Sequence, residues 1–348
     1  MSEETVVSDT PVLTTSVAAS AAHSRARALQ HTVVYLLSRV GQGLFVLWAA
    51  FSLSFLILYA LPSDPVSIML NQSGEQSVVD QQQVAALRAQ YHLDEPLPVQ
   101  YGIALWSALH LDLGRSIQTG QPVAAALVKA LPATAALTFL ALAVSLLAGV
   151  GLAMLASLIR LRWLRDLLLG VPALSVSLPT FWIGLLLLQG FSFGWHWFPA
   201  MGNQGLASLV LPALTLAIPT TAVIAQVLSR SMAATLQQPF VEVLRAKGLS
   251  AARLQRVHVL HNAAVPVLSL SGVIVGNLLA GSVVTETVFS REGIGRLAQG
   301  AVSTQDIPLV QGIVVLAAAM FVVVNLLVDV LYPLIDPRMS VARSGVGR

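Results

Sequence analysis

Lysine occurs only twice in 348 residues, as Lys129 and Lys247, and neither follows a glycine. Nucleotide hydrolysis at a phosphate-binding loop needs the spacing G-x-x-x-x-G-K-[ST], because backbone amides and a lysine must hold the phosphates. This chain does not use that route. His258 and His261 lie three apart, yet two ligands with no carboxylate or cysteine close by rarely hold a metal. Cysteine is absent, which excludes disulfides and thiolate zinc sites. No apolar stretch carries the pair of aspartates, or the serine and histidine, that catalysis inside a membrane requires. The residues therefore predict no catalytic group, no metal site and no cofactor bound by this chain.

The elements that hold these residues are apolar. Hydrophobic residues make up 56% of the chain and charged residues 10%, with a mean hydropathy of +0.78. Soluble domains carry about 25% charge, so lipid is the natural solvent for much of this surface. The net charge of +3 gives no reason to expect nucleic acid as a partner. The expected fold is all-α: a polytopic transmembrane helical bundle.

Six stretches are long enough to span: Val40 to Ala60, Ala133 to Ile159, Leu167 to Phe191, Leu206 to Leu228, Ala263 to Val284 and Ile307 to Tyr332. Each is near or above the roughly 20 residues that cross the hydrocarbon core. Pro172, Pro179, Pro212 and Pro219 fall inside two of them, where neighbours must satisfy each freed carbonyl. Residues 1–30 read as a disordered cytoplasmic tail, 31–340 as the membrane domain and 341–348 as a second tail. Within the domain, 61–132 is an extracytoplasmic loop region with a surface helix over Val79 to Gln90. The first basic residues, Arg25 and Arg27, come too late for a secretory signal.

Basic residues set the orientation. With the N-terminus inside, fourteen lie on the cytoplasmic side, among them Arg25, Arg39, Arg160, Arg165, Arg230, Arg256 and Arg338. The outer side holds five: Arg88, Arg115, Lys129, Arg291 and Arg296. Both termini are thus expected in the cytoplasm.

The cytoplasmic connection 230–259 is the most informative stretch. Pro239 suits a first helical turn, Gly248 permits the positive φ that ends a helix, and Ser250 suits the cap of a second helix starting at Ala251. Two short helices meeting at a glycine are predicted. The alternative is a plain basic loop that only orients the protein.

The run Arg245-Ala246-Lys247-Gly248-Leu249, followed by His258, Asn262 and Pro266, resembles the EAA loop of bacterial ABC-importer permeases. Further segments are similar to the B-type permeases of the dipeptide, oligopeptide and nickel branch. They include Leu61-Pro62-Ser63-Asp64-Pro65, Leu93-Asp94-Glu95-Pro96-Leu97 with Gln100-Tyr101, and Asp112-Leu113-Gly114-Arg115-Ser116 with Pro122-Val123. Leu178-Pro179-Thr180-Phe181-Trp182, Glu286-Thr287-Val288-Phe289 with Gly293-Ile294-Gly295, and Asn325, Asp329 and Asp336-Pro337-Arg338 complete the order. Arg291-Glu292 stands where that family usually has a proline, which leaves the local loop shape open.

The resemblance implies a non-catalytic subunit in the bacterial inner membrane that forms half of a solute pathway. It implies a homologous second permease, two ABC ATPases that carry ATP and Mg, and an extracytoplasmic solute-binding protein. It places Glu242, Arg245, Ala246, Lys247, Gly248 and Leu249 in the element that couples to the ATPases. Peptides are the expected cargo, with nickel, a metal chelate or another small solute as alternatives. An ion-coupled secondary transporter is the more distant reading, disfavoured by spans nearly free of charge and by the lack of a clear repeat.

Two carboxylates stay open as pathway or gate groups. Asp329, in the last span, reads first as the partner of a nearby arginine. Glu286, at the outer end of the fifth, reads first as a solvated loop acid. Trp195, Trp197 and Phe198 are expected to form an interfacial anchor.

Overall fold

The computed structural model describes residues 37–58, 94–159 and 161–335. The two tails, the helix expected over Val79 to Gln90, the Leu61 to Pro65 motif and Asp336-Pro337-Arg338 lie outside the described residues. Among those described, the only ladder is one isolated bridge, between Arg115 and Pro122, and helices make up the rest of the architecture.

Helix α1 is Leu37–Leu58. α2 (Leu97–Leu109) starts directly after Pro96 and ties back to α1, where Tyr101 Oη lies 3.1 Å from Trp48 Nε1 and 2.8 Å from Ser52 Oγ. α3 is Val123–Leu158, and α4 (Arg162–Leu174) leads through a 3-10 turn to α5 (Thr180–Leu187), which continues as a π-helix to Gly194. α6 (Ala207–Thr235), α7 (Pro239–Ala246) and α8 (Ala251–Arg253) follow; α8 runs on helically to Ala263. α9 (Val265–Val288), α10 (Ile294–Ser303) and α11 (Ile307–Ile335) complete the bundle.

Two spans differ from the sequence expectation. α3 begins at Val123, ten residues before Ala133, and carries Pro132 inside it. Its 36 residues measure about 54 Å, well beyond the roughly 30 Å of hydrocarbon. The extra turns are held by a seam of buried residues at helical spacing, Val123, Leu127, Ala130, Thr134 and Leu137, that passes under the proline unbroken. The third expected span is a bent pair: α4 and α5 meet at 108°. Pro179 forces the break, because the residue before a proline is pushed out of the helical region, and Leu178 sits at φ −92, ψ 138. The six expected spans are thus five continuous helices and one broken pair.

The core lies between α3, α6 and α9. α3 and α6 approach closely at Gly149, where a Cβ would come within 2.7 Å of Ile224. α9 meets α11 at Gly272, whose missing side chain makes room for Asn325. α1 joins α11 through Gly43 against Val322 and through the ion pair of Arg39 with Asp329, at 2.9 Å. Asp329 therefore has the arginine partner expected of it.

Candidate functional site

The bundle has two organised ends. At one, α7 and α8 form a knob. Pro239 opens α7 from an extended Gln238. Gly248 has φ +80, its N–H donates to the Arg245 carbonyl at 2.9 Å, and the Leu249 N–H donates to the Leu244 carbonyl at 3.3 Å. Those paired bonds make a Schellman motif, whose reversing residue is preferentially glycine. Ser250 precedes α8 with extended backbone but makes no side-chain cap bond.

The underside of the knob is apolar and fixed. Val241, Leu254 and Val259 are buried in one cluster with Met232 and Leu228 of α6. Glu242, Val243, Arg245, Ala246, Lys247 and Gly248 face outward, and Leu249 is half-buried. Behind the knob is an open cavity of about 410 Å³, lined by Ser157, Leu158, Ile159, Leu236, Arg245, Leu249, Ala251, Leu254 and Gln255. Gln255 is buried and its Oε1 finds no donor. The geometry is an exposed protrusion, rooted in the core and carrying both signs of charge. Such a surface can dock another protein.

At the far end, Glu286 departs from the expectation of a solvated loop acid, because it is fully buried. Its Oε1 accepts from Thr134 Oγ1 at 2.6 Å, and its Oε2 accepts from the N–H groups of Gly295 and Arg296 at 2.7 and 3.2 Å. The Gly295 and Arg296 N–H groups open α10, so the carboxylate meets the positive end of that helix. Gly293 and Gly295 lack side chains because the Glu286 carboxylate and the α9 backbone at Val283 occupy that space. The Glu286…Gly293-Ile294-Gly295 pattern is thus one lock between α3, α9 and α10.

Arg291 makes a second lock. Pro212 frees the carbonyl of Ser208 in α6, and Arg291 Nη1 donates to it at 3.0 Å, to Gly202 O at 3.0 Å and to Ser208 Oγ at 3.3 Å. Burial draws the guanidinium below its ordinary pKa, and the Glu286 charge opposes that shift. Asn203 exchanges hydrogen bonds with the backbone of Glu292, and Ser290 takes φ +49. The loop lacking the family's proline is therefore closed by Arg291 instead.

Asp306 makes a third. It accepts from Ser116 Oγ and from the N–H groups of Ile117, Gln118 and Leu309, the last at 3.3 Å. One carboxylate caps α11 and pins the Asp112 to Pro122 loop. Sequence reading missed Arg291 and Asp306; for Arg291 the signal was a proline inside an apolar span that needed a donor. Trp195 and Trp197 stand exposed at this end, 4.8 Å apart and packed about Phe191.

Known proteins resemble this chain in sequence and in fold. Residues 145–341 match the family described as binding-protein-dependent transport system inner membrane component. A peptide transport system permease protein of Brucella abortus (strain 2308) is 35% identical over 312 residues, covering 87% of this chain and 98% of that protein. The dipeptide transport system permease protein DppB of Escherichia coli (strain K12) is 32% identical over 336 residues, covering 88% and 98%. A chain of the inward-facing MetNI methionine ABC transporter superposes with a TM-score of 0.50 at 16% identity, covering 60% of this chain and 96% of its own. The last likeness concerns the fold alone.

Proposed function

This chain belongs to the family of binding-protein-dependent transport system inner membrane components, and from that premise we propose that it carries peptides across the membrane. It is a permease subunit of an ABC importer, a multi-pass inner-membrane protein that works with ATPase subunits on other chains. The observation that carries the cargo reading is the near full-length likeness, at 35% and 32% identity, to proteins named for peptide and dipeptide transport.

The finer assignments are part of the same proposal. A homologous second permease completes the pathway, two ATPases dock on the cytoplasmic loops of the pair, the knob being this chain's docking element, and an extracytoplasmic binding protein delivers the peptide to the far end. Both termini and the knob lie in the cytoplasm, supported by the excess of arginine on that side. Glu242, Arg245, Ala246, Lys247, Gly248 and Leu249 form the coupling surface, supported by their exposure on a knob rooted in the core. The chain supplies no catalytic group; ATP and Mg belong to the partners.

The test is reconstitution of the chain with its second permease, ATPases and binding protein in vesicles. Uptake of labelled dipeptide that requires ATP and every subunit is expected, and the purified single chain is expected to hydrolyse no ATP. Uptake driven by an ion gradient without the ATPases would overturn the reading.

A further inference from the structure

The exposed faces of the spans are mostly hydrocarbon. α3 shows Phe139 and Leu147, and α11 shows Val323, Leu327 and Val330. α9 differs. Its exposed stripe runs Ser269, Val273, Asn277, Ala280, Val284 and Thr287, at intervals of three and four that place all six on one face. Asn277 lies twelve residues from Val265 and eleven from Val288, roughly 17 Å from either end and so at mid-membrane.

The polar groups on this face are not equivalent. Ser269 and Thr287 turn their hydroxyls onto their own helix, donating to Val265 O at 3.1 Å and Val283 O at 2.8 Å. The Asn277 side chain makes no hydrogen bond to any described residue. One other exposed amide inside the apolar helices shares that state: Gln189, in the π-helical end of α5, and α5 packs against α9. A carboxamide with unmet donors and acceptor does not stay at the centre of a lipid layer.

On the reading that this chain is a peptide-importer permease, we infer that the Asn277 face of α9 lines the water-filled pathway and that Asn277 hydrogen-bonds the peptide backbone of the passing solute. A side-chain amide offers one carbonyl and one NH₂, which complements the N–H and C=O of a peptide bond whatever the side chains are. Its stripe neighbours are small or short, leaving room for varied residues. α9 also follows directly on α8, whose helical run ends at Ala263. Movement of the knob therefore reaches this face across the single turn residue Ala264.

The test exploits the absence of cysteine. Asn277→Cys, and Leu147→Cys on the α3 face as control, are assembled with cysteine-free partners in vesicles. A charged methanethiosulfonate reagent is expected to label position 277, dipeptide with binding protein is expected to slow it, and position 147 should react only with a lipophilic maleimide. Labelling of 277 by the lipophilic reagent alone means a lipid face, and labelling by neither means a seam with the second permease; each overturns the inference. Asn277→Leu is expected to raise the KM for dipeptide uptake about tenfold, the equivalent of one lost hydrogen bond. An unchanged KM overturns the backbone contact. Water access at 277 is read without reference to cargo, whereas failure of ATP-driven dipeptide uptake by the unaltered complex would sink the cargo reading instead.

Discussion

Glu286→Ala is expected to lower the stability of the purified complex by about 3–5 kcal/mol, the largest loss from any single side chain outside the apolar core. The substitution leaves the Thr134 hydroxyl and the Gly295 and Arg296 N–H groups without their acceptor. It also strands the buried Arg291 guanidinium without the charge that favours it. Gly295→Val reaches the same lock with no change of charge, because a side chain there meets the α9 backbone at Val283. Both variants are expected to unfold early in detergent and to accumulate poorly in the membrane, with Thr134→Val milder because one bond is lost. A pure gate residue behaves otherwise: transport changes while the unfolding midpoint stays put. Wild-type stability in Glu286→Ala would rule out the lock.

Gly248→Val is expected to reduce ATP-driven uptake about tenfold or more while leaving insertion intact. A β-branched residue at φ +80 is strained by about 1–3 kcal/mol, and relief of that strain opens the paired bonds at Arg245 and Leu244. The space around a Gly248 side chain is empty, so the loss comes from backbone conformation and not from a clash. This orders the variants: Gly248→Asn mildest, Gly248→Ala next, Gly248→Val worst. The spans are packed elsewhere and stay folded, so expression should match wild type. A loop that serves only as a topology signal would tolerate Gly248→Val and respond instead to loss of Arg245 and Lys247. Wild-type uptake by Gly248→Val at equal expression would sink the coupling assignment.

The parts legible in the sequence were those governed by local rules. Hydropathy gave the apolar segments, and the conformational needs of proline and glycine marked the corners of the knob at Pro239 and Gly248. α3 starts at Val123, ahead of the apolar stretch that begins at Ala133, and runs through Pro132. A proline at an exposed turn of a long helix costs one hydrogen bond, and the buried seam from Val123 to Leu137 outweighs that loss. The α4–α5 break was visible as Pro179 but not its angle, which depends on packing against α6. Glu286, Arg291 and Asp306 were opaque for a different reason. Each is bonded to residues 83 to 190 positions away or across a tight loop, and burial of a charge by such partners leaves no periodic trace. Near the end of an apolar span, a lone acid looks the same in sequence whether it is solvated or locked.

The most direct test of the coupling role is a cross-link from the knob. Val243 is 55% exposed on α7, and the chain has no native cysteine, so Val243→Cys gives a single reactive site. In the complete complex, a short bifunctional thiol reagent should join this residue to an ATPase subunit carrying surface cysteines. The yield should fall in the Gly248→Val background. Cross-linking at wild-type yield in that background, or no adduct from Val243→Cys in a complex that transports normally, would contradict the claim that the α7–α8 knob is where the ATPases act.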